Sequence, residues 1–218
     1  MSTTGFLYPF LDEDDPSDAT DERGIAAHRA ALHGDLVRSA TAKWVTSTTA
    51  TATALAANEA LLRTAANLLR SAGRVLVAGN GGSACDADRL VRLLPTTADR
   101  RTVSLTADPA VLTALANDIG VERMFARMVD VHGRAGDALV VFSTSGQSPN
   151  LLAALEMGRR RSLHTIAFAG YGGGRFVDNG DVDVAIAVND ASVHRIQEVQ
   201  AALADTLVAM VHELDGAR

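Results

Sequence analysis

Two short loops of this sequence carry groups suited to binding an anion. The first is Gly79-Asn80-Gly81-Gly82-Ser83, whose glycines let the backbone approach a ligand closely. The second, Ser143-Thr144-Ser145-Gly146-Gln147-Ser148-Pro149, holds four hydroxyl groups within six residues. Capping and turn formation would account for one or two of these hydroxyls, but not for four. Hydroxyls and free N–H groups at a helix N-terminus suit a phosphate monoester, so the second loop predicts a phosphate site.

Each loop lies between a short apolar run and a segment of helical periodicity. The apolar runs are 75–78, 102–105, 138–142, 165–169 and 182–188, and helical patterns cover 84–94, 109–116 and 150–161. This alternation is typical of βαβ units and predicts an α/β fold, a parallel sheet with helices on both faces. Ser148 and Pro149 are suited to the N-cap and first turn of a helix, as are Asp108 and Pro109.

The predicted sheet core, 73–190, is flanked by helical segments. Residues 24–72 are read as N-terminal helices, and the Thr-rich stretch 45–54 is either a break or a Thr-rich helical stretch. A C-terminal helix over 193–216 carries an apolar stripe. With the helical segment 55–69 it gives more apolar surface than one sheet face can cover, which predicts a homo-oligomer. Together these segments predict one domain over 24–218.

Residues 1–23 hold seven acids and one base, whereas residues 24–218 hold 19 of each. This excess of acids predicts a poorly ordered N-terminal arm.

The composition is typical of a cytoplasmic protein. Hydrophobic residues make up 47% of the 218, Cys85 is the only cysteine, and no apolar stretch reaches the ~20 residues of a membrane span. The balanced charge of residues 24–218 argues against direct binding of nucleic acid, and no membrane association is expected.

A dinucleotide site is a weaker alternative for the first loop. Gly79-x-Gly81-x-x-Ala84 fits a loose nucleotide fingerprint, and Asp108 stands where a ribose-binding acid would follow. Asp108 is explained equally well as a helix cap, and the second loop has no role in that scheme.

Four motifs in register resemble those of the phosphoheptose isomerases, which are sedoheptulose 7-phosphate isomerases of the SIS-domain superfamily. They are the first loop, Asn117-Asp118, Ser143-Thr144-Ser145-Gly146-x-Ser148 and Arg195-Ile196-Gln197-Glu198. The resemblance implies a flavodoxin-like three-layer sandwich with a five-stranded parallel sheet. It also implies a homotetramer whose sites lie at subunit interfaces.

The resemblance further implies a set of substrate-binding residues. Ser83, Ser143, Thr144, Ser145 and Ser148 would hold the sugar phosphate. The sugar would be lined by Asn80, Gly81, Asp118 and Gln197. Apart from the resemblance, the charge of Arg89 suits a substrate oxygen or a pair with Asp205.

The chain departs from the family where the zinc and acid–base residues are expected. The family pattern has His, Glu, Gln and His, and the matching positions here hold Arg89, Leu93, Gln197 and Asp205. Arginine cannot ligate a metal and is a poor base, and leucine can do neither. We therefore expect no metal and no cofactor in this site.

Two hypotheses about function follow. In the first, the chain isomerises sedoheptulose 7-phosphate or a related sugar phosphate, with Glu198, Asp205 and His194 as candidate catalytic groups and Asp86 also considered. In the second, it is a non-catalytic phosphosugar-binding regulator or adaptor that resembles the DnaA initiator-associating protein.

Overall fold

The computed structural model describes residues 22–94 and 100–216, so the predicted acidic arm lies almost entirely outside the described residues. The chain divides into two units, residues 1–46 and 47–218, and the sheet and both loops belong to the second. The prediction of a single domain over 24–218 stays a prediction.

The predicted N-terminal helices form one continuous helix, α1, over Glu22–Ser71. The Thr-rich stretch does not break it, because threonine hydroxyls donate to carbonyls one turn back. Thr46 Oγ1 lies 2.8 Å from the oxygen of Ala42, and Thr53 Oγ1 lies 3.0 Å from that of Thr49. The hydroxyls are thereby satisfied within the helix, and of the two alternatives the Thr-rich helical stretch is observed.

Five parallel strands and six helices over the described residues give the α/β fold that the sequence predicts. The strands are β1 Arg74–Gly79, β2 Arg101–Ser104, β3 Ala138–Ser143, β4 His164–Ala169 and β5 Val184–Ala187. The helices after α1 are α2 Gly82–Leu93, α3 Pro109–Ile119, α4 Val121–His132, α5 Pro149–Arg160 and α6 Val193–Gly216. The strand order β2-β1-β3-β4-β5 is that of a flavodoxin-like sheet.

The sheet separates two hydrophobic cores, which makes the fold a three-layer sandwich. Val75 and Val77 face the core that contains α1, α2 and α6, whereas Leu76 and Ala78 face the core that contains α4 and α5. This alternation follows the two-residue period of a strand. Both faces are covered, which explains why the strands read as continuous apolar runs.

The carboxyl ends of β1 and β3, from which the two loops leave the sheet, lie side by side. β1 and β3 are paired, with Gly79 opposite Phe142, so the first loop and the second loop leave the same edge of the sheet from neighbouring strands. A cleft at this edge is the usual ligand position in open α/β sheets.

Two sequence expectations need correction. Helix α4 was missed, although Met124, Phe125, Met128 and Val129 are buried at helical spacing. The apolar stripe of α6 is covered within the chain, since Ile196, Val199, Leu203, Leu207 and Val211 have no exposed surface. That stripe therefore supplies no surface for association.

Within the described residues, no helix is long and apolar enough to cross a membrane.

Candidate functional site

Three hydroxyls of the second loop converge at the N-terminus of α5. Ser143 Oγ lies 3.4 Å from both Ser145 Oγ and Ser148 Oγ. The Ser143 hydroxyl accepts from the N–H of Gly146 at 3.0 Å, and the Ser145 hydroxyl accepts from the N–H of Gln147 at 3.2 Å. A hydroxyl whose oxygen accepts a backbone N–H keeps its own hydrogen for another acceptor. The loop therefore directs hydroxyl donors toward one point.

Ser148 occupies the N-cap position, but its side chain makes no capping hydrogen bond. The predicted N-cap position of Ser148 is confirmed, but its hydroxyl lies 3.4 Å from that of Ser143 instead of capping the helix. Pro149 is at the first helical position as expected. The helix start is thus specified without the Ser148 hydroxyl, which remains available to a ligand. Asp108, by contrast, does cap α3, since its carboxylate accepts from the N–H groups of Ala110 and Val111.

A glycine-rich turn, Tyr171–Phe176, packs against the second loop. Gly146 has a φ of 62°, and a Cβ atom there would lie 2.2 Å from the carbonyl oxygen of Gly173. A Cβ at Gly174 would lie 2.4 Å from the carbonyl oxygen of Ser145. The two backbones touch, so only glycine fits at these contacts. This support was not predicted from the sequence.

The first loop contacts the C-terminal helix α6. A Cβ atom at Gly82 would lie 1.9 Å from Gln197 Nε2, so glycine at this position makes room for the Gln197 amide. Ser83, in the first turn of α2, has 3% of its surface exposed. The structure thus brings the predicted residue Gln197 to the first loop, against Gly82.

A pair of amides joins the two loops. Asn80 Nδ2 donates to Asn150 Oδ1 at 2.9 Å, and Asn150 Nδ2 donates to Asn80 Oδ1 at 3.0 Å. Asn80 follows β1 and Asn150 lies in the first turn of α5, so the two loops are held together by side chains. Asn150 was not predicted, because its partner lies 70 residues away in the sequence.

A second unpredicted residue, Gln200, anchors the end of β3. Its side chain has no exposed surface, and its Nε2 donates to the carbonyl oxygen of Ser143 at 3.0 Å. The same carbonyl accepts from the N–H of Gly170 at 3.1 Å. Gln200 therefore fixes the backbone from which the Ser143 hydroxyl projects.

Arg89 on α2 and Asp205 on α6 form a bidentate ion pair. Arg89 Nε lies 2.8 Å from Asp205 Oδ1, and Arg89 Nη2 lies 2.6 Å from Asp205 Oδ2. The hydrogen bonds to Asp205 raise the pKa of Arg89. The side chains are 45% and 42% exposed, so the pair is partly solvated. The predicted pairing of Arg89 with Asp205 is observed.

Asp86 is a buried carboxyl on α2, one turn before Arg89. It is 8% exposed, and its buried Oδ2 atom has no hydrogen-bond partner among the described residues. Burial raises the pKa of Asp86 to about 6, and the positive charge of Arg89 offsets part of that rise. A carboxyl that titrates near neutral pH can exchange a proton under physiological conditions.

The remaining candidates are exposed. Glu198 accepts a hydrogen bond from the Ser47 hydroxyl, and His194 lies in the first turn of α6. Asp118, near the C-terminus of α3, accepts from the side chain of Asn117 at 3.0 Å. Among the described residues no hydrogen bond joins the side chain of Asp118 to either loop, and its role in the site stays a prediction.

A surface cavity of about 790 Å³ lies beside the second loop, and its lining includes none of the predicted site residues. Glu156, Asp178 and Asp181 line it together with Arg175. The three carboxylates make it a poor receptor for a phosphate dianion, so the hydroxyl cluster remains the better anion site.

The residues at the expected zinc positions do not fit zinc. Zinc takes typically four imidazole, thiolate or carboxylate ligands. Leu93 has no donor atom, Arg89 presents only protonated nitrogens, and both oxygens of Asp205 accept from Arg89. Over residues 22–94 and 100–216, no group of three or more His, Cys, Asp or Glu side chains could hold a metal ion.

Comparison with known proteins gives the same family from sequence and from structure. The SIS domain family matches residues 40–170, more than half of the chain. A phosphoheptose isomerase of Rhodospirillum rubrum is 38% identical over 150 residues, 66% of this chain and 79% of the relative. One from Desulfovibrio desulfuricans is 44% identical over 146 residues, 65% of this chain and 68% of the relative.

The fold agrees with a solved member. The phosphoheptose isomerase of Neisseria gonorrhoeae superposes with a TM-score of 0.76 at 32% identity, covering 82% of this chain and 99% of the other. The chain therefore belongs to the SIS-domain family and, within it, groups with the phosphoheptose isomerases.

Proposed function

We propose that this chain is a cytoplasmic sugar-phosphate isomerase of the phosphoheptose isomerase type, which interconverts an aldose and a ketose phosphate. Sedoheptulose 7-phosphate is the first substrate to test. The observation that carries the proposal is the convergence of the Ser143, Ser145 and Ser148 hydroxyls at the N-terminus of α5. The relatives named as phosphoheptose isomerases support the choice of substrate.

The second loop receives the phosphate. The three converging hydroxyls and that of Thr144 donate to the phosphate oxygens, and the positive end of the α5 dipole favours the dianion. Hydrogen bonds to a charged partner are worth about 1.5–3 kcal/mol each, so a few of them suffice without a lysine. Gln200 holds the loop in this arrangement through the Ser143 carbonyl.

The first loop receives the sugar. Gln197 lies over Gly82, and Ser83 and Gly81 belong to the same turn, so amide, hydroxyl and backbone groups face the space next to the phosphate. Asn80 belongs to the same loop, and its amide is held by the hydrogen bond to Asn150. Asp118 is included among the sugar-binding residues only because the family resemblance implies it.

The proton transfer is assigned to Glu198. It follows Gln197 on α6 and is exposed, with its carboxylate held by the Ser47 hydroxyl. Asp205 is less suited to act as a base, because both of its oxygens accept from Arg89. His194 is exposed at the start of α6 and stays a secondary candidate.

The proposed assembly is a homotetramer, as the family resemblance implies. Large apolar side chains are exposed on α1, among them Leu36, Val37 and Trp44, at 66%, 64% and 71%. Such residues offer apolar surface to another copy of the chain.

The test measures binding and turnover on the same preparations. Calorimetry with sedoheptulose 7-phosphate should show a loss of about 1–3 kcal/mol in affinity for Ser145→Ala and for Ser148→Ala. Ser71→Ala is the matched control, because that hydroxyl donates to the Leu68 carbonyl at the end of α1. Unchanged affinity in both loop variants would refute the phosphate site.

Turnover is followed by separating the aldose and ketose phosphates. Wild-type protein should convert one to the other, and Glu198→Gln should abolish conversion while binding is kept. Tight binding with no conversion by the wild type would instead identify a non-catalytic phosphosugar-binding protein.

A further inference from the structure

The ion pair between Arg89 and Asp205 stands at two of the four positions where the family resemblance implies zinc ligands. These residues lie 116 positions apart in the sequence and connect α2 to α6. Their geometry is that of a guanidinium fork on a carboxylate, with two parallel hydrogen bonds of 2.8 and 2.6 Å. The contact shows that positions 89 and 205 face each other directly.

We propose that the guanidinium of Arg89 is a permanent cation that replaces the metal ion of this family, so that the site is assembled without zinc. This inference rests on the proposed function, because it concerns the chemical half of the same sugar-phosphate site.

The charges around Arg89 support the replacement. On one side its fork bonds Asp205 on α6, and one turn earlier on its own helix is the buried carboxyl of Asp86. The charge of Arg89 lowers the pKa of Asp86 in opposition to burial, so the guanidinium favours the ionised state of this carboxyl. A bound metal ion has the same effect on nearby acids. The cation here is covalently attached and cannot dissociate.

Positions 93 and 197 are the other two at which the family resemblance implies zinc ligands. Leu93 follows Arg89 by one helical turn and is 41% exposed, so it brings no ligand atom to the pair but has room for a larger polar side chain. Gln197 lies two turns before Asp205 on the same side of α6, and its amide packs against Gly82 of α2. Ligands at 89, 93, 197 and 205 would therefore all lie between α2 and α6.

The decisive experiment compares wild-type protein with a variant in which zinc ligands are restored. The variant combines Arg89→His, Leu93→Glu and Asp205→His, which together with Gln197 supply two imidazoles, a carboxylate and an amide. Each protein is dialysed against zinc and then against metal-free buffer. Zinc is counted by mass spectrometry, and Tm is recorded with added zinc and with EDTA.

The wild type should retain no stoichiometric zinc, and its Tm should respond neither to zinc nor to EDTA. The triple variant should retain about one zinc per chain, with a Tm that rises with zinc concentration and falls with EDTA. Arg89→Lys is the matched control, because it keeps the positive charge but adds no metal ligand; it should behave as the wild type.

Three results would overturn the proposal. One is a wild type that retains about one zinc per chain. Another is a wild-type Tm that depends on zinc. The third is a folded triple variant that takes up no zinc, since this would show that the four positions do not converge. Should the triple variant not fold, Arg89→His with Asp205→His takes its place.

Calorimetry with the sugar phosphate on the same wild-type sample separates this proposal from the proposed function. Zinc-free protein that does not bind sugar phosphate contradicts the function alone, whereas zinc-loaded protein that binds it contradicts the replacement alone.

Discussion

Replacing Asp86 with asparagine should stabilise the protein at neutral pH and have little effect in acid. Asp86 is 8% exposed, and within the part of the chain that the structure describes its buried Oδ2 atom has no hydrogen-bond partner. Burial raises its pKa from 3.8 to about 6 despite the opposing charge of Arg89. Ionising this carboxyl in the folded protein is therefore harder than ionising it in the unfolded chain.

The size of this effect on the free energy of unfolding follows from the raised pKa of Asp86. One pKa unit corresponds to 1.36 kcal/mol, so a shift of about two units makes the ionised form cost about 3 kcal/mol in the folded state. The folded state binds more protons than the unfolded state between the two pKa values, and the free energy of unfolding therefore falls as pH rises through this window. Below the unfolded pKa both states are protonated, and the penalty vanishes.

Asparagine has the shape of aspartate but never carries the charge. The free energy of unfolding of Asp86→Asn should exceed that of the wild type by up to about 3 kcal/mol above the folded pKa, and the difference should close as pH falls toward the unfolded pKa. Urea unfolding, followed by circular dichroism at about one-unit pH intervals from about pH 4 to about pH 8, measures this difference.

Glu213→Gln is the control, since it also replaces a carboxylate by an amide, at an exposed position of α6. Parallel pH profiles for wild type and Asp86→Asn would refute the reasoning, because they would show that Asp86 has its ordinary pKa in the folded state. Buried groups with shifted pKa values are concentrated at functional sites, so a confirmed penalty also marks α2 as part of the site.

Two further predictions concern packing and assembly. Gly146→Ala should destabilise the protein by at least about 2 kcal/mol, because a Cβ there is 2.2 Å from the backbone of Gly173 and φ is 62°. Gly136→Ala, where φ is 85° but no atom lies within 4 Å, should cost only about 1 kcal/mol, and equal losses in thermal or urea unfolding would contradict the contact. Light scattering at micromolar concentration should give four times the chain mass, and the 22.8 kDa of a single chain would exclude the proposed tetramer.

Much of the fold was predictable because it depends on local patterns. All five apolar runs became strands to within one or two residues at each end, since both faces of the sheet are covered and each strand is hydrophobic throughout. Asp108 caps α3 as its position before Pro109 suggested. Helix α4 was missed because Gly120 lies directly between two helices, where the sequence reads as one short helix and a loop.

The details of the site were less predictable because they depend on contacts between distant segments. Ser148 has the residue type and position of a cap, yet its hydroxyl points to Ser143, five residues earlier. Asn150 and Gln200 have no motif that distinguishes them from helix residues, and their roles arise only when β1, β3 and α6 are brought together. The pairing of Arg89 with Asp205 was predicted from their opposite charges at two positions that depart from the family pattern, not from any local signal.

The reciprocal amide pair of Asn80 and Asn150 has a consequence for affinity. A ligand that contacts two independent loops must order both, and the lost conformational freedom subtracts from its binding free energy. Here two side-chain hydrogen bonds already connect the loops in the free protein. The entropy of bringing them together is lost when the chain folds, so a ligand spanning both loops meets a rigid receptor and keeps more of its interaction energy as affinity.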